Sequence, residues 1–144
     1  MADVIVVGTD GSATAQRAVV EAMRLAKALG GAVHVVSAYD PSRGLAAAGV
    51  SGYVIAPVDD EETVGAALAA ATAAVGADAV EVQTHAVRGT PAEALIAVAD
   101  AVKASMIVVG NQGMHGVKRV LGSVPNAVSH RANCHVLIVS TDAE

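Results

Sequence analysis

The residues with the most chemistry to offer in this 144-residue chain are two glycine-bearing turns, each following a short apolar run. Gly8-Thr9-Asp10-Gly11-Ser12 follows Val4–Val7, and Gly110-Asn111-Gln112-Gly113 follows Met106–Val109. Nine residues beyond Gly113 comes Gly122-Ser123, at the start of a helical pattern. Glycine lets backbone come close to a ligand and takes conformations that other residues resist. A helix N-terminus adds unpaired N–H groups and a partial positive charge, and Ser123 adds a hydroxyl. That combination suits a phosphate. Asp10 is poorly placed against bare phosphate and fits better as an acceptor for a ribose hydroxyl or as a ligand for Mg²⁺. Tight turns, with Ser123 as a plain helix cap, would explain any one of these features. Two glycine turns opening on one end of a sheet, with a Gly-Ser helix start beside them, favour a bound ligand.

The elements that must position these residues follow from periodicity. Five runs of strand length stand out: Val4–Val7, Val33–Ala38, Val80–Val87, Met106–Val109 and Val136–Val139. They are rich in Val and Ile and bounded by glycine or polar residues, as strands are. Helical patterns lie between them. The first spans Ser12 to Leu29, with Ala15, Ala18, Val19, Ala22, Leu25, Ala26 and Leu29 on one face. The second starts at the acidic cluster Asp59–Glu62, which suits a helix N-terminus, and turns Val64, Leu68, Ala71 and Val75 inward. The third starts at Thr90-Pro91, a cap with proline at the first helical position. The fourth runs from Gly122-Ser123 to about Arg131. Strands alternating with helices predict a single α/β domain over residues 1–144, doubly wound around a parallel sheet. Four strands are too apolar to have a wet face, as in buried parallel sheets. In the third, Val80–Val87, polar residues recur at alternate positions, which predicts a sheet edge. The long irregular stretch Asp40–Val58 reads as a functional loop or a crossover connection.

Composition narrows the function. Net charge is -5, with nine Lys and Arg, a poor balance for a nonspecific nucleic-acid binder. With no Phe or Trp and only two Tyr, the chain lacks the ring faces that stack on single-stranded bases. Hydrophobic residues make up 53% of the sequence, so the core is aliphatic and disorder is not expected. Cys134 is the single cysteine, so no intrachain disulfide forms, in keeping with a reducing compartment. No run approaches the ~20 apolar residues of a membrane span, and the N-terminus lacks a basic signal-peptide region. These features point to the cytoplasm. No Gly-Lys pair exists, which removes the P-loop; the dinucleotide fingerprint and the nucleophile elbow are also absent. Ser129 and His130 are neighbours on a helix and do not face each other, so they make no triad. His130 and His135 flank Cys134 without a zinc spacing. Lys118 and Arg119, inside the glycine loop, suit either phosphate neutralisation or a solvated face.

With these residues in place, the chain resembles the universal stress protein family. That family carries glycine, two residues, glycine, about nine residues, then glycine with serine or threonine. Here Gly110-Asn111-Gln112-Gly113 is followed by eight residues and then Gly122-Ser123-Val124-Pro125-Asn126, one residue shorter in the variable loop. The opening VVGTDGS, the central VRGTPAEALIAVA and the closing GSVPNAVSHRANCHVLIV also look like the family. The resemblance implies a Rossmann-like, five-stranded parallel sheet in the order 3-2-1-4-5 with four helices. It implies that Gly8, Thr9 and Asp10 touch adenine and ribose, with Asp10 near ribose or Mg²⁺, and that Ala38 lines the adenine pocket. Val109, Gly110 and Gly113 would run along ribose and phosphates, and Gly122, Ser123 and Val124 would anchor the phosphates. Arg88-Gly89 would sit at another loop of the same rim. The implied ligand is ATP, in a sensor or adaptor; relatives with a similar SAY and GSVP pattern extend this to AMP or cyclic AMP. A slow ATPase or phosphotransfer enzyme lacks a general base or lysine suited to in-line transfer. The last strand, Val136, Leu137, Ile138 and Val139, is an apolar edge in this order, which predicts a homodimer built on it.

Overall fold

A computed structural model describes residues 3–9, 13–39, 80–111 and 123–140. Its elements in chain order are β1 (Val4–Gly8), α1 (Ala13–Leu29), β2 (Ala32–Tyr39), β3 (Glu81–Arg88), α2 (Pro91–Val102), β4 (Met106–Gly110), α3 (Ser123–Arg131) and β5 (His135–Val139). The five strands form one sheet in the order β3-β2-β1-β4-β5, all neighbours parallel. This is the predicted order, with β3 at an edge. The helix expected from Asp59 and the loop Asp40–Val58 lie outside the described residues.

The two faces of the sheet bury separate cores, because side chains alternate along a strand. Ile5 and Val7 of β1, Val33 and Val35 of β2 and Val108 of β4 pack against α1 through Ala18, Val19, Ala22, Met23 and Ala26. Val6, Val36, Ile107 and Val109 face the other way, onto Leu95, Val98 and Ala99 of α2 and Val128 of α3. The small alanines let α1 lie close to the strands, which compensates for the lack of aromatic side chains. The polar side of α1 carries the Arg24–Glu21 ion pair at 2.9 Å.

Local signals end and begin the elements. Gly30, at φ +69°, stops α1, and the Gly31 N–H donates to the Ala26 carbonyl at 2.9 Å. That is the left-handed glycine ending in which a six-residue bond closes the last turn. A β-carbon on Gly31 would fall on the carbonyl oxygen of Asp3. The bare backbone there lets Ala32 N–H donate to that oxygen at 2.9 Å and start the β1–β2 ladder. Before α2, Thr90 and Glu93 form a reciprocal capping box, with Pro91 at the first helical position.

The expectation that four strands hide both faces holds for β1, β2 and β4 but needs correction at β5. Its residues are half-buried or exposed, and Ile138 is 37% exposed. The reason is position: β5 pairs on one side only, and α1 and α3 cover its faces in part.

Candidate functional site

Parallel strands end together, so the turns after them share one rim. Gly8, Ala38 and Gly110 stand at the carboxyl ends of β1, β2 and β4. The N-terminal parts of the three described helices converge on the same rim, bringing Thr14 and Ala15 from α1, Pro91 and Leu95 from α2, and Val124 and Pro125 from α3. These residues line a half-open pocket of ≈ 720 Å³, mouth included.

The pocket is mostly apolar. Val36, Ala38, Leu95, Val109 and Val124 form much of its wall, and among its described lining residues the only polar side chains are Thr9 and Thr14. No charged side chain is among them. Its floor is tightly set: a β-carbon on Gly8 would lie 3.3 Å from Leu95 Cδ2. Two rim amides are already committed. Thr9 N–H donates to the Val36 carbonyl at 2.9 Å, and Asn111 N–H donates to the Val139 carbonyl at 3.0 Å. These bonds pin the second residue of each glycine turn to the neighbouring strand. Backbone donors for an anion must therefore come from other groups, and the first turn of α3 is such a place. In α3, Pro125 has no N–H to give, which leaves Ser123 and Val124 among the described residues of its first turn.

Of the residues singled out from sequence, Gly8, Thr9, Ala38, Val109, Gly110 and Val124 meet in this pocket. Ser123 adjoins it as the first residue of α3 and is exposed. Asp10, Gly113 and Gly122 lie outside the described residues, as do Lys118 and Arg119. Gly89, after β3, has φ +133° and leads into the α2 cap. Sequence reasoning did not assign Thr14, Ala15, Ala18, Val36, Pro91, Leu95 and Pro125 to the site. Ala15, Ala18 and Leu95 carried only the helical period, which marks a core-facing side and says nothing of a ligand. Val36 was findable, since it shares a strand face with Ala38 two residues on. Elsewhere, the Ser129 hydroxyl donates to the Asn126 carbonyl at 2.8 Å. No group of three or more metal-ligating side chains occurs among the described residues, and no helix there is long and apolar enough to cross a membrane.

The same architecture occurs in known proteins. A model of the universal stress protein family matches residues 1–140. A universal stress protein of Mycobacterium tuberculosis strain H37Rv is 38% identical over 144 residues, covering 95% of each chain. One of Methanocaldococcus jannaschii is 34% identical over 138 residues, covering 94% of this chain and 80% of its own. Among solved structures, a universal stress protein in complex with cAMP superposes with a TM-score of 0.73 at 35% identity, covering 98% of both chains. The strand order, the glycine turns and these whole-length matches agree: the chain belongs to the universal stress protein family.

Proposed function

We propose that the chain binds an adenine nucleotide in the pocket at the carboxyl ends of β1, β2 and β4, and acts as a cytoplasmic sensor or adaptor rather than a fast enzyme. The observation that carries this reading is the pocket itself, an apolar slot at the strand ends with the N-terminal turn of α3 on its rim. A planar base gains from burial between aliphatic walls, and a phosphate gains from unpaired amides. In this reading Val36, Ala38 and Val109 hold adenine. Gly8, Thr9 and Asp10 reach base and ribose, and Gly110, Gly113, Gly122, Ser123 and Val124 follow the phosphates. Asp10 takes Mg²⁺ where the nucleotide brings it.

ATP is the ligand that the glycine motif suggests. A specific observation favours a second reading, cyclic AMP or AMP. A whole-length neighbour at 35% identity is complexed with cAMP. Calorimetric titration with ATP, AMP and cyclic AMP, each with and without Mg²⁺, separates the two. Binding by at least one of them is expected. Failure of all three to bind more tightly than about 1 mM would exclude the reading.

A further inference from the structure

His34 of β2 and His85 of β3 form a pair that the pocket does not use. His34 is 8% exposed, and its Nδ1 lies 2.7 Å from His85 Nε2. The ring centroids are 5.0 Å apart and the planes differ by 17°, so the rings meet edge to edge, nearly coplanar, as an in-plane hydrogen bond requires. In the strand register His34 is opposite Gln83 and His85 is opposite Val36, so the contact runs diagonally across one sheet face. Along β2 that face continues to Val36 and Ala38, which line the pocket.

Proton counting sets the behaviour of the pair. A nitrogen–nitrogen contact this short is a hydrogen bond with one proton between the rings. In the neutral pair one ring donates and the other accepts. One further proton can go to the outer nitrogen of the donor ring and leave the bond intact. The next must go to the accepting nitrogen. It leaves two N–H groups facing each other and two adjacent cations. Glu81, two residues from Gln83 on the same face of β3, is the acid acting on His34. The acids of α2, which packs against β2, are engaged elsewhere. Glu93 accepts from Thr90 in the cap, and Asp100 accepts from the Asn133 amide. Lys103 ends α2 in a left-handed conformation.

We propose that the His34–His85 pair is an acid-sensitive latch that fastens β3 to β2 and, through β2, steadies the Val36–Ala38 side of the pocket. Burial first, and His85 second, hold His34 below its ordinary value of 6.5, with Glu81 opposing. The unfolded or opened chain therefore takes up the proton first as pH falls. The latch contributes fully above 6.5, and its contribution is lost as pH falls through the lower folded value.

The test compares the native chain with the double variant His34→Val, His85→Val between about pH 8 and pH 5. Hydrogen exchange of the Glu81–Arg88 amides, corrected for intrinsic rate, reads the β3 edge without any ligand. The native chain is expected to lose about ten-fold more protection than the variant; equal losses would overturn the latch. Histidine side-chain nitrogen NMR of the native chain tests the latch independently if the variant does not fold. Coupling of the two inner nitrogens through one proton, lost as β3 loosens, supports the latch, and two rings titrating independently at ordinary values refute it. The effect on the pocket rests on the nucleotide reading. AMP affinity should fall with pH in the native chain more than in the variant, and equal falls would overturn the link to the pocket. No AMP binding at either pH would count against AMP as the ligand and not against the latch, since the exchange measurement needs no ligand.

Discussion

Single residues decide how closely a ligand approaches the rim. At Gly8 the strand leaves almost no space before Leu95, so any larger side chain must push into the pocket or into α2. Gly113 lies outside the described residues, and its proposed place along the phosphates is tested by Gly113→Val. That branched side chain should bar the backbone from the ligand and weaken ATP binding about a hundredfold, ~2.7 kcal/mol. Ser123→Ala removes one hydroxyl from an exposed first turn and should cost about 1 kcal/mol. Titration of both variants beside the native chain checks the contrast; native-like binding by Gly113→Val would rule out this site. Cys134 tests a different property of the same scale. Its thiol is raised from the ordinary 9.0 by burial and then by Asp100, with a hydrogen bond to the Ile107 backbone opposing. Since the thiolate is the nucleophile, Cys134 should alkylate more slowly in the folded chain than in urea at the same neutral pH. Equal rates would show that the fold does not protect it.

Elements hold these residues because their ends are specified. Thr90 caps α2 twice over, accepting from Glu93 N–H at 3.3 Å while the Glu93 carboxylate accepts from Thr90 N–H at 3.1 Å. Thr90→Ala removes the hydroxyl partner and should lower stability by about 1 kcal/mol in urea unfolding. Pro91 and Leu95, just inside the cap, line the pocket, so the same variant should also weaken nucleotide binding. The start and stop of α2 were legible because Thr-Pro is a local signal. The alternation in Val80–Val87 pointed correctly to a sheet edge but not to one wet face: Thr84 and Ala86 are exposed on the same side as half-buried Val82. The stop at Gly30-Gly31 was legible only as glycine. That Gly31 must stay bare depends on Asp3, which comes from a different strand and leaves no mark in the local pattern. The His34–His85 contact joins residues 51 apart, and in sequence each was one histidine in a strand.

At the scale of the whole molecule, strand order and the rim on which the pocket opens were readable, while the cover over the sheet was not. Order followed from one alternating edge strand and from the resemblance, and the pocket followed from order, because parallel strands all end at one rim. How far helices cover an outer strand depends on packing between distant segments, which is why the full burial expected of β5 did not materialise. That outcome sharpens the case for a dimer. β5 pairs with β4 along one side from His135 to Val139, and as the last strand in the sheet its other side has no strand partner among the described residues. Its four residues Val136-Leu137-Ile138-Val139 contain no charge and no proline, the devices that usually keep an edge from pairing. Ile138 is one of two large apolar side chains standing exposed among the described residues. A second copy laid antiparallel along this edge would satisfy the outward backbone groups and bury Ile138 from both chains across a two-fold axis. Ile138→Lys would then place two like charges near that axis while leaving the buried side of the sheet untouched, because this side chain is already partly in water. Sedimentation at tens of micromolar is expected to give a dimer for the native chain and a monomer for Ile138→Lys, with circular dichroism unchanged between them. A native chain that sediments as a monomer, or a variant that stays dimeric, would remove β5 as the interface.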